Sequence, residues 1–187
     1  MKPALLVVDM VREFVTGRLG CEAARALVGP MREILAWARF HRLPIAYLQD
    51  AHVEGDPEIA LWGEHAMAGT EGAETVPELA PRPGELVLHK HVYSGFQGTD
   101  LAERLRERGV DTVLLAGVAT DICVQHTCAD AFFRRFHPVV LSDLTATLTS
   151  ERHRSALDYM RTIHAAEILT AAEARKRFAP AAVASSS

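Results

Sequence analysis

Four groups capable of chemistry stand immediately after short apolar runs: Asp9 after Ala4 to Val8, Asp50 after Pro44 to Gln49, Lys90 after Glu85 to His89, and Gly117 to Cys123 after Thr112 to Ala116. A carboxylate can accept a proton, an ammonium can stabilise negative charge, and a thiol can attack an electrophilic carbon. Taken singly, each has a plainer reading: an aspartate caps a turn, a lysine faces water, a cysteine fills the core. If the runs are strands of one parallel sheet, their carboxyl ends share an edge, and that edge is where such sheets bind ligands. Cys123 is then the candidate nucleophile. Thr120 or Asp121 suits an N-cap, which places Cys123 in the first turn of the next helix, where the helix N-terminus favours thiolate. Cys128, deeper in the same helix beside Ala129 and Ala131, reads as packing, and Cys21 has no assigned role.

A second group is Asp50, His52 and His65. One carboxylate and two imidazoles suit Zn²⁺, Fe²⁺ or Mn²⁺ and leave positions for water or a substrate atom. Asp-x-His is a short pattern, however, and by spacing alone a solvated loop accounts for it equally well. Phe14, Trp62 and Tyr93 fall after the first strand, within a long loop and just after Lys90. Aromatic residues more often belong to the core, but these placements favour a pocket wall. The other histidines, His91 among them, show no ligand spacing.

The elements that must position these residues alternate along the chain. To the four runs above, Val139 to Ser142 and Glu167 to Leu169 add two further strands. Helical patterns lie at Glu22 to His41, interrupted by Gly29 and Pro30, and at Asp100 to Arg108, Asp121 to Phe136, Glu151 to His164 and Ala171 to Phe178. The alternation predicts an α/β fold: a doubly wound, mainly parallel six-stranded sheet with helices on both faces. The stretch Asp50 to Gly84, rich in Gly, Pro and acids, carries at most a short helix and is a candidate substrate or metal loop. With 187 residues and no linker or repeat, one domain is expected over 1–187, with 180–187 a flexible tail.

A net charge of −4 argues against nucleic acid as a partner. No apolar segment approaches the ~18 residues of a membrane span. Three cysteines make no disulfide framework, so a reducing, cytoplasmic setting is expected.

The motifs LLVVDMVREF (5–14), LQDAH (48–52), WGEHAMAGTEGAE (62–74), KHVYSGFQGTDL (90–101) and GVATDICV (117–124) resemble the isochorismatase-like cysteine hydrolases, most closely their nicotinamidase branch. They cover the first four strand ends in the family's order. The resemblance implies Cys123 as nucleophile, Asp9 as general base, Lys90 as third member of the triad, and the backbone N–H groups of Ala119 and Cys123 as an oxyanion hole. It further implies a cis bond between Val118 and Ala119, a substrate pocket formed by Phe14, Trp62, Tyr93 and Val118, and a divalent metal, Zn foremost, on Asp50, His52 and His65. The expected activity is hydrolysis of a small amide through a thioester, with nicotinamide first. An isochorismatase, a carbamoyl or ureido amidohydrolase and a non-catalytic binding protein are the alternatives. Family members commonly form homo-oligomers. Val11 departs from the Gln or Asn frequent at its position, and the loop from His52 to His65 is shorter than in many nicotinamidases.

Overall fold

The computed structural model describes residues 1–179; the tail expected to fray at 180–187 lies outside the described residues. In chain order the elements are β1 (Pro3–Val8), α1 (Arg12–Val15), α2 (Glu22–Ala26), α3 (Val28–Phe40), β2 (Ile45–Asp50), α4 (Ile59–Trp62), β3 (Leu86–Lys90) and α5 (Leu101–Glu107). They continue with β4 (Thr112–Val118), α6 (Gln125–Phe133), β5 (His137–Ala146), α7 (Ser150–Ile163), β6 (Glu167–Leu169) and α8 (Ala171–Phe178). The six strands form one sheet in the order β3-β2-β1-β4-β5-β6, and every pairing is parallel.

The run Leu5–Val8 of β1 forms the centre of the molecule because it is apolar on both sides. Leu5 and Val7 pack toward Met31, Ile34 and Leu35 of α3 and Phe178 of α8. Leu6 and Val8 pack toward Leu101 and Leu105 of α5, Cys128 of α6 and Met160 of α7. Helices therefore cover both faces, and each buried leucine or valine contributes about 1.5 to 3 kcal/mol. Cys128 is fully buried here. Gly117 is required where β4 meets β1: an added Cβ would sit 1.9 Å from the Val8 carbonyl oxygen, and the backbone has φ +121°.

Several boundaries differ from the sequence expectation for identifiable reasons. The helical pattern over residues 22–41 is two helices, and the break falls at Leu27 rather than at Gly29 and Pro30. Pro30 has no N–H to give the Ala26 carbonyl, so the ladder stops at Ala26 and Pro30 sits in the first turn of α3. β5 runs on to Ala146, past polar Ser142 and Asp143, through a register shift against β4 between Leu115 and Gly117. α8 matches the expected span and carries a capping box between Thr170 and Glu173. Among the described residues, no helix is long and apolar enough to cross a membrane.

Candidate active site

The strand order turns back between β1 and β4, since the chain winds outward through β2 and β3 and then returns to the other side of β1. Such a reversal opens a crevice at the carboxyl ends of the two strands. Asp9 follows β1 there, in a left-handed backbone conformation (φ +49°) that Asp tolerates better than most residues. Cys123 follows β4 on a π-helical turn, Thr120–Val124, that leads into α6. The expected cap is corrected: Ala119 occupies the N-cap position without a side-chain bond. Thr120 instead pairs with His153 Nδ1 at 2.9 Å, and Asp121 accepts from the Thr147 hydroxyl at 2.6 Å.

Asp50 and Lys90 are the last residues of β2 and β3, and the parallel register places them directly side by side. Lys90 Nζ lies 2.8 Å from Asp9 Oδ2 and also contacts Asp50 Oδ1. The Asp50 backbone N–H donates to Asp9 Oδ1 at 2.9 Å. Asp9, Asp50 and Lys90 are each only 1% exposed. A lysine buried so completely is tolerable only because carboxylates surround it. The donor atoms of Asp9, Asp50 and Cys123 all lie within 4.8 Å of one another.

Burial and the like charge of Asp50 push Asp9 up to about 6, against the pull of Lys90. Burial alone would lower Lys90, but the Asp9, Cys123 and Asp50 charges hold it well above the ordinary range. Burial pushes the Cys123 thiol up, and Lys90 only partly counters it. Burial thus opposes the pull toward thiolate expected from the helix start. Asp9 is therefore placed to accept the thiol proton, with the Lys90 ammonium beside it.

The three sequence-predicted metal ligands are brought together, with a fourth that sequence reasoning missed. Asp50, His52, Glu58 and His65 are all buried, with one donor atom from each inside a 4.8 Å sphere of mutual distances. Asp50 Oδ2, His52 Nε2 and Glu58 Oε1 are buried without a hydrogen-bond partner. Burial and Asp50 push Glu58 up to about 7. His65 donates from Nδ1 to the Gly63 carbonyl at 2.7 Å, which leaves Nε2 as its ligand atom. Orphaned acceptors gathered around one point are what a divalent cation satisfies, so the donor set fits such an ion.

Beside these groups lies a pocket of about 130 Å³ whose lining includes Phe14, Trp62, Tyr93 and Val118, the residues that the resemblance implied. Leu19, Cys21, Ile122 and Leu148 complete an apolar wall. Cys21, given no role from sequence, thus faces the pocket and also caps α2 by accepting from the Ala24 N–H. The Trp62 indole donates to the Tyr93 hydroxyl at 3.1 Å, and Phe14 meets His65 edge-on at 5.8 Å. The Val118–Ala119 bond is cis, and Ala119 and Cys123 both line the pocket.

Residues 3–173 match the isochorismatase domain family. The nicotinamidase/pyrazinamidase of Mycobacterium tuberculosis is 35% identical over 176 residues, covering 85% of this chain and 94% of that protein. The crystal structure of N-carbamoylsarcosine amidase from Thermoplasma acidophilum superimposes with a TM-score of 0.87 at 44% identity, covering 91% of this chain and 97% of the other. The pyrazinamidase of Pyrococcus horikoshii, solved in complex with zinc, gives 0.84 at 30% identity, covering 91% and 99%.

Proposed function

The chain belongs to the isochorismatase family, and on that premise we propose that it is a cysteine hydrolase that cleaves the C–N bond of a small uncharged amide, with nicotinamide as the first candidate. The observation that carries this reading is the buried grouping of Asp9, Lys90 and Cys123 beside a pocket whose wall, among the described residues, holds no arginine or lysine.

In the proposed reaction Asp9 takes the Cys123 proton as Sγ attacks the amide carbon, so no standing thiolate is needed. Lys90 stays charged and holds the negative charge of the site in place. The oxyanion of the tetrahedral intermediate is held by the backbone N–H groups of Ala119 and Cys123; one such donor is worth about 3 to 4 kcal/mol. Asp9 returns the proton to the leaving nitrogen, ammonia departs, and a thioester remains on Cys123. Asp9 then takes a proton from water as water attacks the thioester, the acid is released, and Sγ regains its proton. Asp50, His52, Glu58 and His65 would hold a divalent metal, zinc foremost, which when bound supplies a positive anchor for a basic substrate atom or for water.

The charge of the site favours a neutral substrate. Three carboxylates, one ammonium and a divalent cation sum to zero, and the remaining wall is apolar. A carboxylate-bearing carbamoyl amino acid or a dianionic vinyl ether would enter with no countercharge. The test is ammonia release from a panel holding nicotinamide, pyrazinamide, N-carbamoylsarcosine and ureidoacrylate. Turnover of the neutral ring amides with little of the anionic ones is expected. Preference for an anionic compound would reject the neutral-amide reading, and no turnover of any would reject hydrolysis.

A further inference from the structure

Asp56, four residues after His52, lies outside the metal donor set but touches it. Its Oδ2 atom receives three N–H groups: the Val53 backbone at 2.9 Å, His52 Nδ1 at 3.1 Å and His91 Nδ1 at 3.0 Å. A carboxylate oxygen only accepts, so both imidazoles carry a proton on Nδ1. For His52 this leaves Nε2 as the lone-pair nitrogen. Nε2 is buried and without a hydrogen-bond partner, 3.5 Å from Asp50 Oδ2 and 3.7 Å from Glu58 Oε2.

We propose that Asp56 is a positioning residue for the metal: it fixes the tautomer and ring orientation of His52 so that Nε2 faces the gap between Asp50, Glu58 and His65. His91 fixes the carboxylate in turn. Because residue 91 directly follows Lys90, the same contact ties the metal loop to the end of β3. The inference rests on the metal reading given above. A carboxylate–histidine–metal arrangement orients the ligand and raises its basicity, and losing the outer partner typically weakens metal affinity about 10- to 100-fold. A turn-closing role alone would need only the Val53 bond, which an amide oxygen at position 56 could also accept.

The experiment measures Co²⁺ affinity of the full chain, stripped of metal, by chelator competition at fixed pH. It compares wild type, Asp56→Asn, Asp56→Glu and His91→Ala, and records the visible Co²⁺ spectrum and the metal-free unfolding midpoint of each. Expected are roughly 10- to 100-fold weaker binding and an altered spectrum for Asp56→Asn, partial recovery for Asp56→Glu, and a smaller loss for His91→Ala, whose side chain is half-exposed and safely removed. The metal-free midpoint of Asp56→Asn should stay close to wild type. Wild-type binding matched by all three variants overturns the role of Asp56 while the metal site stands. Absence of stoichiometric binding by wild type overturns both.

Discussion

Replacing Lys90 with methionine keeps the buried stem and deletes only the charge, which makes it the cleanest probe of the electrostatics at the sheet edge. In the wild type, Nζ lies 2.8 Å from Asp9 Oδ2 and touches Asp50 Oδ1, with all three side chains sealed from water. Removing one partner from a buried charge cluster commonly costs about 3 to 5 kcal/mol, because the remaining charges have neither solvent nor counterion. The lower end applies here: Asp9 already stands at about 6 and can take up a proton once the ammonium is gone. A loss of about 3 kcal/mol corresponds to a fall in Tm of roughly 6 to 12 °C for a chain of this size. Urea unfolding of the metal-free proteins, with the slope compared as well as the midpoint, measures it directly. Amide turnover should fall with stability, since a protonated Asp9 cannot accept the thiol proton. A stability change under about 1 kcal/mol, or turnover equal to wild type, would refute the claim that this lysine is the counterion of both carboxylates.

Away from the site, Glu85 accepts from Arg39 through both oxygens, at 2.7 and 3.0 Å, and from the Arg82 N–H at 2.7 Å. Burial opposes its charge, but these donors outweigh burial and hold the carboxyl below its ordinary 4.5. A group depressed on folding stabilises above its unfolded pKa and loses that contribution as pH falls through the folded value. The wild type should therefore exceed Glu85→Gln by about 1.5 kcal/mol at pH 7, and the gap should shrink as pH drops below about 4.5 in urea titrations. Gly117→Ala should lose more than about 3 kcal/mol, or fail to yield soluble protein, because its Cβ meets the Val8 carbonyl and its backbone is left-handed. A wild-type urea midpoint would show that β1 and β4 can separate at little cost.

Elements whose residues speak for themselves were legible in the sequence. Glu167–Leu169 and Ala171–Phe178 stand over the expected spans, and β1 to β4 start and stop within a few residues of expectation. The four residues at strand ends were readable as a group because parallel strands must align their carboxyl ends. Glu58 was not: one acid among several in a loop without periodicity carries no signal, and only the spacing from Asp50 and His52 to His65, taken together, could have singled it out. Its burial at 4% comes from loop packing that no local pattern encodes. The balance at Cys123 is hard to read from sequence for a related reason. A helix start pulls a thiol pKa down, while burial of Cys123 pushes it up, and burial is not encoded in the local pattern. Asp56 and His91 lie 35 residues apart and meet only through the β2–β3 pairing.

Covalent catalysis here depends on one atom, Cys123 Sγ, which replacement by alanine removes. Ammonia release is compared between wild type and Cys123→Ala, both loaded with the same metal, on whichever amide the wild type turns over fastest. A fall of about a thousandfold or more is expected, because the wall, the base and the metal ligands remain but no atom can form the thioester. Release by Cys123→Ala at a rate near wild type would contradict it and assign the chemistry to the metal group instead.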